Sequence, residues 1–270
     1  MPELPEVEVT RLGLAPSLTG KTVTAVVART RRLRYPLSGR LAQQLVGRRL
    51  QGIERRGKYL LFAFDAGHLL LHLGMSGSLR LVTPAVAVQR HDHFDLVFGR
   101  RVMRLHDPRR FGAVLWLAGD PGRHPLLKVL GLEPLADGFT PAWLFEQTRS
   151  RKAPIKQVLM DSHLLVGVGN IYASESLFRA GIDPRRPAAE ISLPRYRRLV
   201  PAIRETLAAA IAAGGSSLRD FVNADGAAGY FQQDYFVYGR AGEACRRCGR
   251  PVLGLRQGGR ASFYCPRCQR

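Results

Sequence analysis

All four cysteines of this 270-residue chain lie in its last 26 residues, at Cys245, Cys248, Cys265 and Cys268. The spacing C-x2-C-x16-C-x2-C puts two pairs of thiolates on tight turns, an arrangement that closes tetrahedrally around one Zn²⁺. Two disulfides are the competing reading, disfavoured by a reducing compartment and by the lack of cysteine elsewhere. None of the seven histidines falls in this segment, so the ligand set would be all-thiolate. Between the two cysteine pairs, Val252-Leu253 and Ser262-Phe263-Tyr264 flank Gly258-Gly259, a pattern that predicts a β-hairpin with Arg260 just past its tip. The 35 residues from 236 to 270 are too few for a core of their own, so the metal would fold them.

Charge narrows the partner. The formal net charge is +20, and it is concentrated at the ends of the chain. Residues 1–130 carry 21 basic against 9 acidic side chains, residues 131–235 carry 12 against 11, and residues 236–270 carry 8 against 1. An anionic partner is expected, met by the two ends through bulk charge and by the middle through backbone amides and a few placed side chains. An apolar fraction of 46% excludes a disordered basic tail. No apolar run approaches the ~20 residues of a spanning helix. The start MPELPEVEVT is acidic where a signal peptide is basic, so a cytoplasmic protein is expected.

Three segments are expected, giving a multidomain α+β chain. In residues 1–130, apolar runs at Thr22–Val27, Tyr59–Phe64, His68–His72, Ser78–Val82, Asp95–Phe98, Val102–Leu105 and Ala113–Leu117 alternate with turn residues. This predicts a β-sandwich or barrel, preceded by a helix entered through Pro2 and Pro5. The turn-rich stretch 131–141 reads as a linker. Residues 131–235 become helical, with helices at 141–149, 154–161, 171–180 and from a Ser192 cap to about 213. The polar stretch 216–233 is long enough to be a binding loop or lid.

Several residues stand where chemistry could be done. Asn170 begins a helix after the glycine-rich turn Gly167-Val-Gly, where exposed amides form a phosphate site, though an ordinary N-cap explains it equally well. Arg109 and Phe111 on Asp107-Pro-Arg-Arg-Phe-Gly112, and Met75 between glycines, are either core residues or wedges that unstack a duplex. Removal of Met1 would expose Pro2 as a secondary amine able to attack a sugar C1′ and give an iminium directly. Glu3 and Glu6 stand at i and i+3 beside it, as acid and positioning group or merely as acids favoured by the helix dipole.

These motifs occur in order from end to end. MPELPEVE, RRGKYLL around Lys58, HLGMSGSLR, DPRRFG, VGVGNIYASESLF, GYFQQDYFVYGR and the terminal GGRASFYC-x2-CQ together resemble the bacterial formamidopyrimidine-DNA glycosylases. The resemblance implies an N-terminal β-sandwich with a leading helix, a helix–two-turn–helix domain and a four-cysteine zinc finger, with damaged double-stranded DNA between domains. Pro2 would be the Schiff-base nucleophile and Glu3 the proton donor, with Glu6 organising the site. Lys58 would serve β-elimination and Arg260 δ-elimination. His72, His91, Arg151, Lys156 and Asn170 would contact DNA, and Met75, Arg109 and Phe111 would fill the space of a flipped base. Arg151 stands where the family commonly has lysine, which keeps the charge and changes its hydrogen-bond geometry. The stretch 216–233 would cap the lesion. The implied activity is excision of oxidised purines, 8-oxoguanine and formamidopyrimidines, followed by β,δ-elimination, by a monomer associated with the bacterial nucleoid. Two alternatives remain: an endonuclease VIII-like enzyme for oxidised pyrimidines, and a non-catalytic zinc-ribbon DNA-binding protein.

Overall fold

The computed structural model describes residues 1–215 and 235–270; the expected capping loop at 216–233 lies outside the described residues. Among these, Met1–Lys128 form one compact unit, and Val129–Ala212 with residues 235–270 form a second. The helical and zinc-binding segments therefore share one unit.

The first unit opens with α1 (Leu4–Leu18), followed by β1 (Ala25–Ala28), α2 (Leu41–Leu45), β2 (Gly52–Arg56), β3 (Tyr59–Phe64), β4 (Gly67–His72), β5 (Ser78–Val82), β6 (Asp92–Phe98), β7 (Arg101–His106), β8 (Ala113–Ala118) and α3 (Pro125–Lys128). Its strands make two antiparallel four-stranded sheets, ordered β1-β6-β7-β5 and β2-β3-β4-β8. Alternate residues of both sheets meet in one core: Leu60, Phe62 and Phe64 from β3, Leu69 and Leu71 from β4, and Phe94, Leu96 and Phe98 from β6. Leu14 and Leu18 of α1 and Leu45 of α2 close it. Truncating the fully buried Phe62 to alanine would cost about 3–5 kcal/mol, by lost transfer energy plus a cavity.

Strand β6 begins three residues before the apolar run does, because its first residues are polar and nonetheless buried. Asp95 accepts a bidentate pair from Arg104, with both bonds at 3.0 Å, and a bond from Arg29 at 2.5 Å. Asp92 accepts from Arg80 at 2.8 Å and lies 2.9 Å from His106 Nδ1. Burial pushes both carboxyls up, and these partners, with the Gln89 amide donating to Asp92 Oδ2 at 2.8 Å, more than offset it, so each stays below the ordinary carboxylate range.

The second unit contains α4 (Pro141–Thr148), α5 (Ile155–Leu159), α6 (Asn170–Ala180), α7 (Leu193–Ala212) and the hairpin β9 (Leu253–Gln257) and β10 (Arg260–Tyr264). Local chemistry sets the helix ends. Thr140 Oγ1 accepts the Trp143 amide at 3.1 Å ahead of Pro141, and α6 stops at Gly181 in the left-handed region. The stretch 131–141 is not a free linker. Leu132 exchanges backbone hydrogen bonds with Leu164 and Val166, and the Arg204 guanidinium donates to the carbonyls of Leu135, Ala136 and Phe139. Tyr196 of α7 donates to Thr148 Oγ1 at 2.8 Å, tying α7 to α4. Among the described residues, no helix is long and apolar enough to cross a membrane.

Candidate functional site

In the first unit, Pro2 and Glu3 are buried at the entrance to α1. Glu3 is the N-cap, in extended conformation, and its amide donates to Glu6 Oε2 at 2.8 Å. The fully buried Glu6 thus completes a capping box, and its carboxylate fixes the backbone that carries Glu3. Thr10 Oγ1 in turn donates to the Glu6 carbonyl at 2.8 Å.

Lys58 sits in the two-residue turn between β2 and β3, where Gly57 takes a φ of +58°. Glycine at the first central position suits a turn of type II′, whose twist matches the strands. The next residue, Tyr59, faces His72 across the β3–β4 ladder, and their rings lie 4.8 Å apart. Burial, then the positive charges of Lys58 and Arg34, push the His72 imidazole down to about 4. His72 is therefore neutral at pH 7. The amide of Gly74 donates to Nδ1 at 3.0 Å, which leaves Nε2 protonated as a donor.

Two loops run side by side beyond these strands. Met75 and Phe111, one on each loop, are 39% and 47% exposed. The Arg109 guanidinium lies 5.1 Å from the centre of the Phe111 ring. His91 holds the base of the second loop, its carbonyl accepting the Asp107 amide at 2.9 Å while its ring meets His106 edge-on at 5.8 Å.

In the second unit, Asn170 and Arg260 come together. Both line one cavity of about 170 Å³ with Lys156, Gln157, Met160, Gln257 and Gly258. The cavity lies at the start of α6, whose backbone amides and dipole favour an anion. Gly169, not Asn170, is the N-cap. The Asn170 side chain is left for other work: Nδ2 reaches the Tyr238 hydroxyl at 3.5 Å, and Oδ1 is buried with no partner among the described residues. Gly258 and Gly259, with φ of +55° and +76°, form the hairpin tip and present Arg260 to solvent.

Two of the expected DNA contacts have partners within the protein. Lys156 is only 2% exposed, and its ammonium donates to Ala261 O at 3.0 Å and Ser262 Oγ at 2.7 Å. It braces α5 against the zinc hairpin instead of facing outward. Arg151 is paired with Asp161 at 2.8 Å. Burial raises the Asp161 carboxyl, and hydrogen bonds from Arg151 and His163 bring it below its ordinary value.

Tyr238 and Glu175 also belong to this site, although neither stands in a spacing pattern that marks it in the sequence. The buried Glu175 carboxylate accepts the amides of Phe236, Val237 and Tyr238 at 2.9, 3.0 and 2.9 Å. The signal for Glu175 was an acid in the middle of a helix, flanked by Ile171, Tyr172, Leu177 and Phe178, which is paired when buried.

The four cysteine sulfurs all lie within 4.8 Å of one another. Sulfurs at about 2.3 Å from a central Zn²⁺ stand about 3.8 Å apart, so the set fits one structural zinc. The flanking core joins Cys245 and Cys265 to Phe178, Val237 and Val252, and the Arg247 guanidinium covers the Phe178 ring at 4.7 Å.

The model of the formamidopyrimidine-DNA glycosylase N-terminal domain matches residues 1–114, that of the H2TH domain of the same proteins matches 130–222, and that of a zinc finger found in FPG and IleRS matches 242–270. The chain is 62% identical over 270 residues to a formamidopyrimidine-DNA glycosylase of Aromatoleum aromaticum and 58% identical over 273 residues to one of Herminiimonas arsenicoxydans, covering all of each. It is similar to the crystal structure of the MutM (FPG) protein of Thermus thermophilus, with a TM-score of 0.89, 42% identity and coverage of 99% of this chain and 98% of that one. It is also similar to Lactococcus lactis Fpg in complex with DNA containing an abasic site, with a TM-score of 0.92, 34% identity and 99% of each chain covered. With a Fapy-dG-containing DNA complex of the same enzyme the TM-score is 0.91, at 34% identity over 99% of this chain and all of that one.

Proposed function

The chain belongs to the formamidopyrimidine-DNA glycosylase family, and from that premise we propose that it excises oxidised purines from duplex DNA through a Schiff base on Pro2 and then cuts the strand by β,δ-elimination. At the coarser level it is a zinc-finger DNA glycosylase and AP lyase that binds damaged DNA. The observation that carries the finer reading is the buried entrance to α1, where Glu6 holds the backbone of Glu3 immediately after Pro2.

Once Met1 is removed, the Pro2 nitrogen has a lone pair to give to C1′ of a flipped nucleotide. The C1′–base bond breaks as the N–C1′ bond forms, and the base leaves with the electron pair and takes a proton, for which Glu3 is the donor. The attacking nitrogen gives up its own proton, its lone pair forms the C=N bond of the iminium as the C1′–O4′ bond breaks, and O4′ leaves as a hydroxyl by taking up a proton. Loss of a C2′ proton then expels the 3′ phosphate, and a second elimination expels the 5′ phosphate, leaving a one-nucleotide gap. Lys58 supplies positive charge for these departures in the first unit, and Arg260 with Asn170 supplies a second phosphate site in the other. His72 donates from Nε2 as a neutral group, so its grip does not vary with pH near neutrality. Flipping the base costs about a few kcal/mol, which insertion of Met75 and Phe111 offsets in part.

Borohydride reduction on an 8-oxoguanine duplex tests the reading. The expected result is a covalent adduct that mass analysis locates on the N-terminal peptide at Pro2. If the form retaining Met1 nicks the duplex as fast as the processed form, the proline mechanism is wrong. A preference for thymine glycol over 8-oxoguanine would reassign the substrate to oxidised pyrimidines. The enzyme is expected to act as a monomer in the bacterial cytoplasm, on the nucleoid.

A further inference from the structure

We infer that Asp107 is a positioning residue that locks the Met75 loop to the Arg109–Phe111 loop, so that both enter a duplex as one preformed wedge. The inference rests on the wedge reading proposed above.

Topology brings the two loops together. Residues 73–77 carry the chain from β4 in one sheet to β5 in the other, and residues 107–112 carry it back from β7 to β8. At one end His72 pairs with Ala113, and at the other Ser78 pairs with His106. The loops are thus adjacent crossings between the same two pairs of strands.

Contact between them is backbone on backbone. Gly74 has a φ of +65°, and a Cβ there would stand 2.4 Å from the Phe111 carbonyl carbon and 2.6 Å from the Gly112 nitrogen. No other residue type fits at that position. The Asp107 carboxylate, fully buried, then bonds to both loops: Oδ2 accepts the Gly112 amide at 2.7 Å and Oδ1 accepts the Ser76 hydroxyl at 3.4 Å. Between these anchors Arg110 is held at a φ of +56°, where a residue with a Cβ is strained by about 1–2 kcal/mol. Its amide is tied to the Asp107 carbonyl at 3.2 Å.

An apolar side chain on an independent mobile loop would lose conformational freedom on insertion, at a cost of about 0.5–1.5 kcal/mol per immobilised side chain. The lock removes that freedom in advance. Asp107 itself is buried and touches the duplex only through the loops it holds.

The test uses the full-length zinc-loaded enzyme and a duplex with a tetrahydrofuran abasic analogue opposite cytosine, with 2-aminopurine as the neighbouring base. Unstacking by the wedge raises the fluorescence of 2-aminopurine. Wild type is expected to give the rise, and Asp107→Ala to lower its rate or amplitude by about fivefold while low-salt affinity changes by less than about twofold. Asp107→Asn is expected to retain the signal within about twofold, since its oxygen still accepts from Gly112 and its amide can donate to Ser76 Oγ. On a Met75→Ala background, Asp107→Ala should add little, because the two act as a unit. An unchanged rise in Asp107→Ala, equal loss in the alanine and asparagine variants, or full additivity with Met75→Ala overturns the inference. Should Asp107→Ala not fold, Ser76→Ala carries the same expectation at about twofold, and an unchanged signal there overturns it equally. If wild type gives no rise at all, the wedge reading itself fails, which is a different result from a wedge that works without its lock.

Discussion

His72 accepts a hydrogen bond at Nδ1 from the amide of Gly74, two residues along the chain and 3.0 Å away. That bond commits the imidazole to one tautomer, and burial beside Lys58 and Arg34 keeps it neutral down to about pH 4. The unfolded chain takes up this proton near pH 6.5, and the folded chain does not. Stability is therefore intact above pH 6.5 and falls as the pH drops from 6.5 towards 4. The loss is on the order of 2 kcal/mol, reduced by partial exposure. Urea denaturation at pH 7 and pH 4.5 is expected to show a larger drop for wild type than for His72→Asn, and the His72 ring protons should not titrate between pH 8 and 5 in NMR spectra.

Removal of zinc is expected to unfold the hairpin and spare the sheets. Without the metal, the small core of Cys245, Cys265, Val252, Val237 and Phe178 cannot hold β9 and β10 together. Hydrogen exchange of the chelated full-length protein should show lost protection at Leu253–Gln257 and Arg260–Tyr264, with protection of β3 and β4 retained. Persistent protection of the hairpin amides would show that thiolate–metal bonds are not what folds it.

Lys156 and Arg260 should separate in a salt titration. Arg260 is exposed at the hairpin tip, so Arg260→Ala should lower the slope of log K against log salt by about 1. Lys156 spends its ammonium on Ala261 and Ser262, so Lys156→Met should leave the slope near wild type. It should instead destabilise the second unit by about 1–3 kcal/mol in chemical denaturation, because it takes the charged donor from the buried Ser262 hydroxyl.

Glu175→Gln tests the anchor for the chain at Phe236–Tyr238. The carboxylate meets three amide donors, and an amide side chain turns its own N–H groups against at least one of them. Charge-assisted bonds to backbone amides are the stronger kind, so the cost is expected at about 1.5–3 kcal/mol of unfolding free energy. Tyr238 moves with this segment, and phosphate affinity at the Asn170 cavity should fall in the same variant, as measured by binding to undamaged duplex at low salt.

Strands with a clean apolar pattern were legible residue by residue. The runs at Tyr59–Phe64 and Ser78–Val82 coincide with β3 and β5, since alternation or a continuous apolar run is what a buried strand requires. Strand β2 was missed because Gly-Ile-Glu-Arg-Arg buries one residue, Ile53, on a sheet edge. The front of β6 was missed because Asp92 and His93 are buried by virtue of partners far away in the chain. Asn170 was legible as the start of a helix, but which residue caps it depends on a φ/ψ pair at Gly169 that no composition reveals.

The four zinc ligands, the helix entered at the N-terminus and the glycine tip ahead of Arg260 are legible in local sequence and are present in the fold. Each Cys-x2-Cys pair, the prolines at the helix start and the adjacent glycines of the hairpin tip act within a few residues, where spacing along the chain is distance in space, and the hairpin between the two cysteine pairs closes them on one ion. Only in the folded chain does Lys156 bond to the hairpin, Glu175 gather three amides, Asn170 share a cavity with Arg260, and Asp107 join two loops. Each of those depends on partners tens of residues apart brought into contact by strand pairing and helix packing. Whether a charge is solvated, paired or buried is fixed only when those distant neighbours arrive.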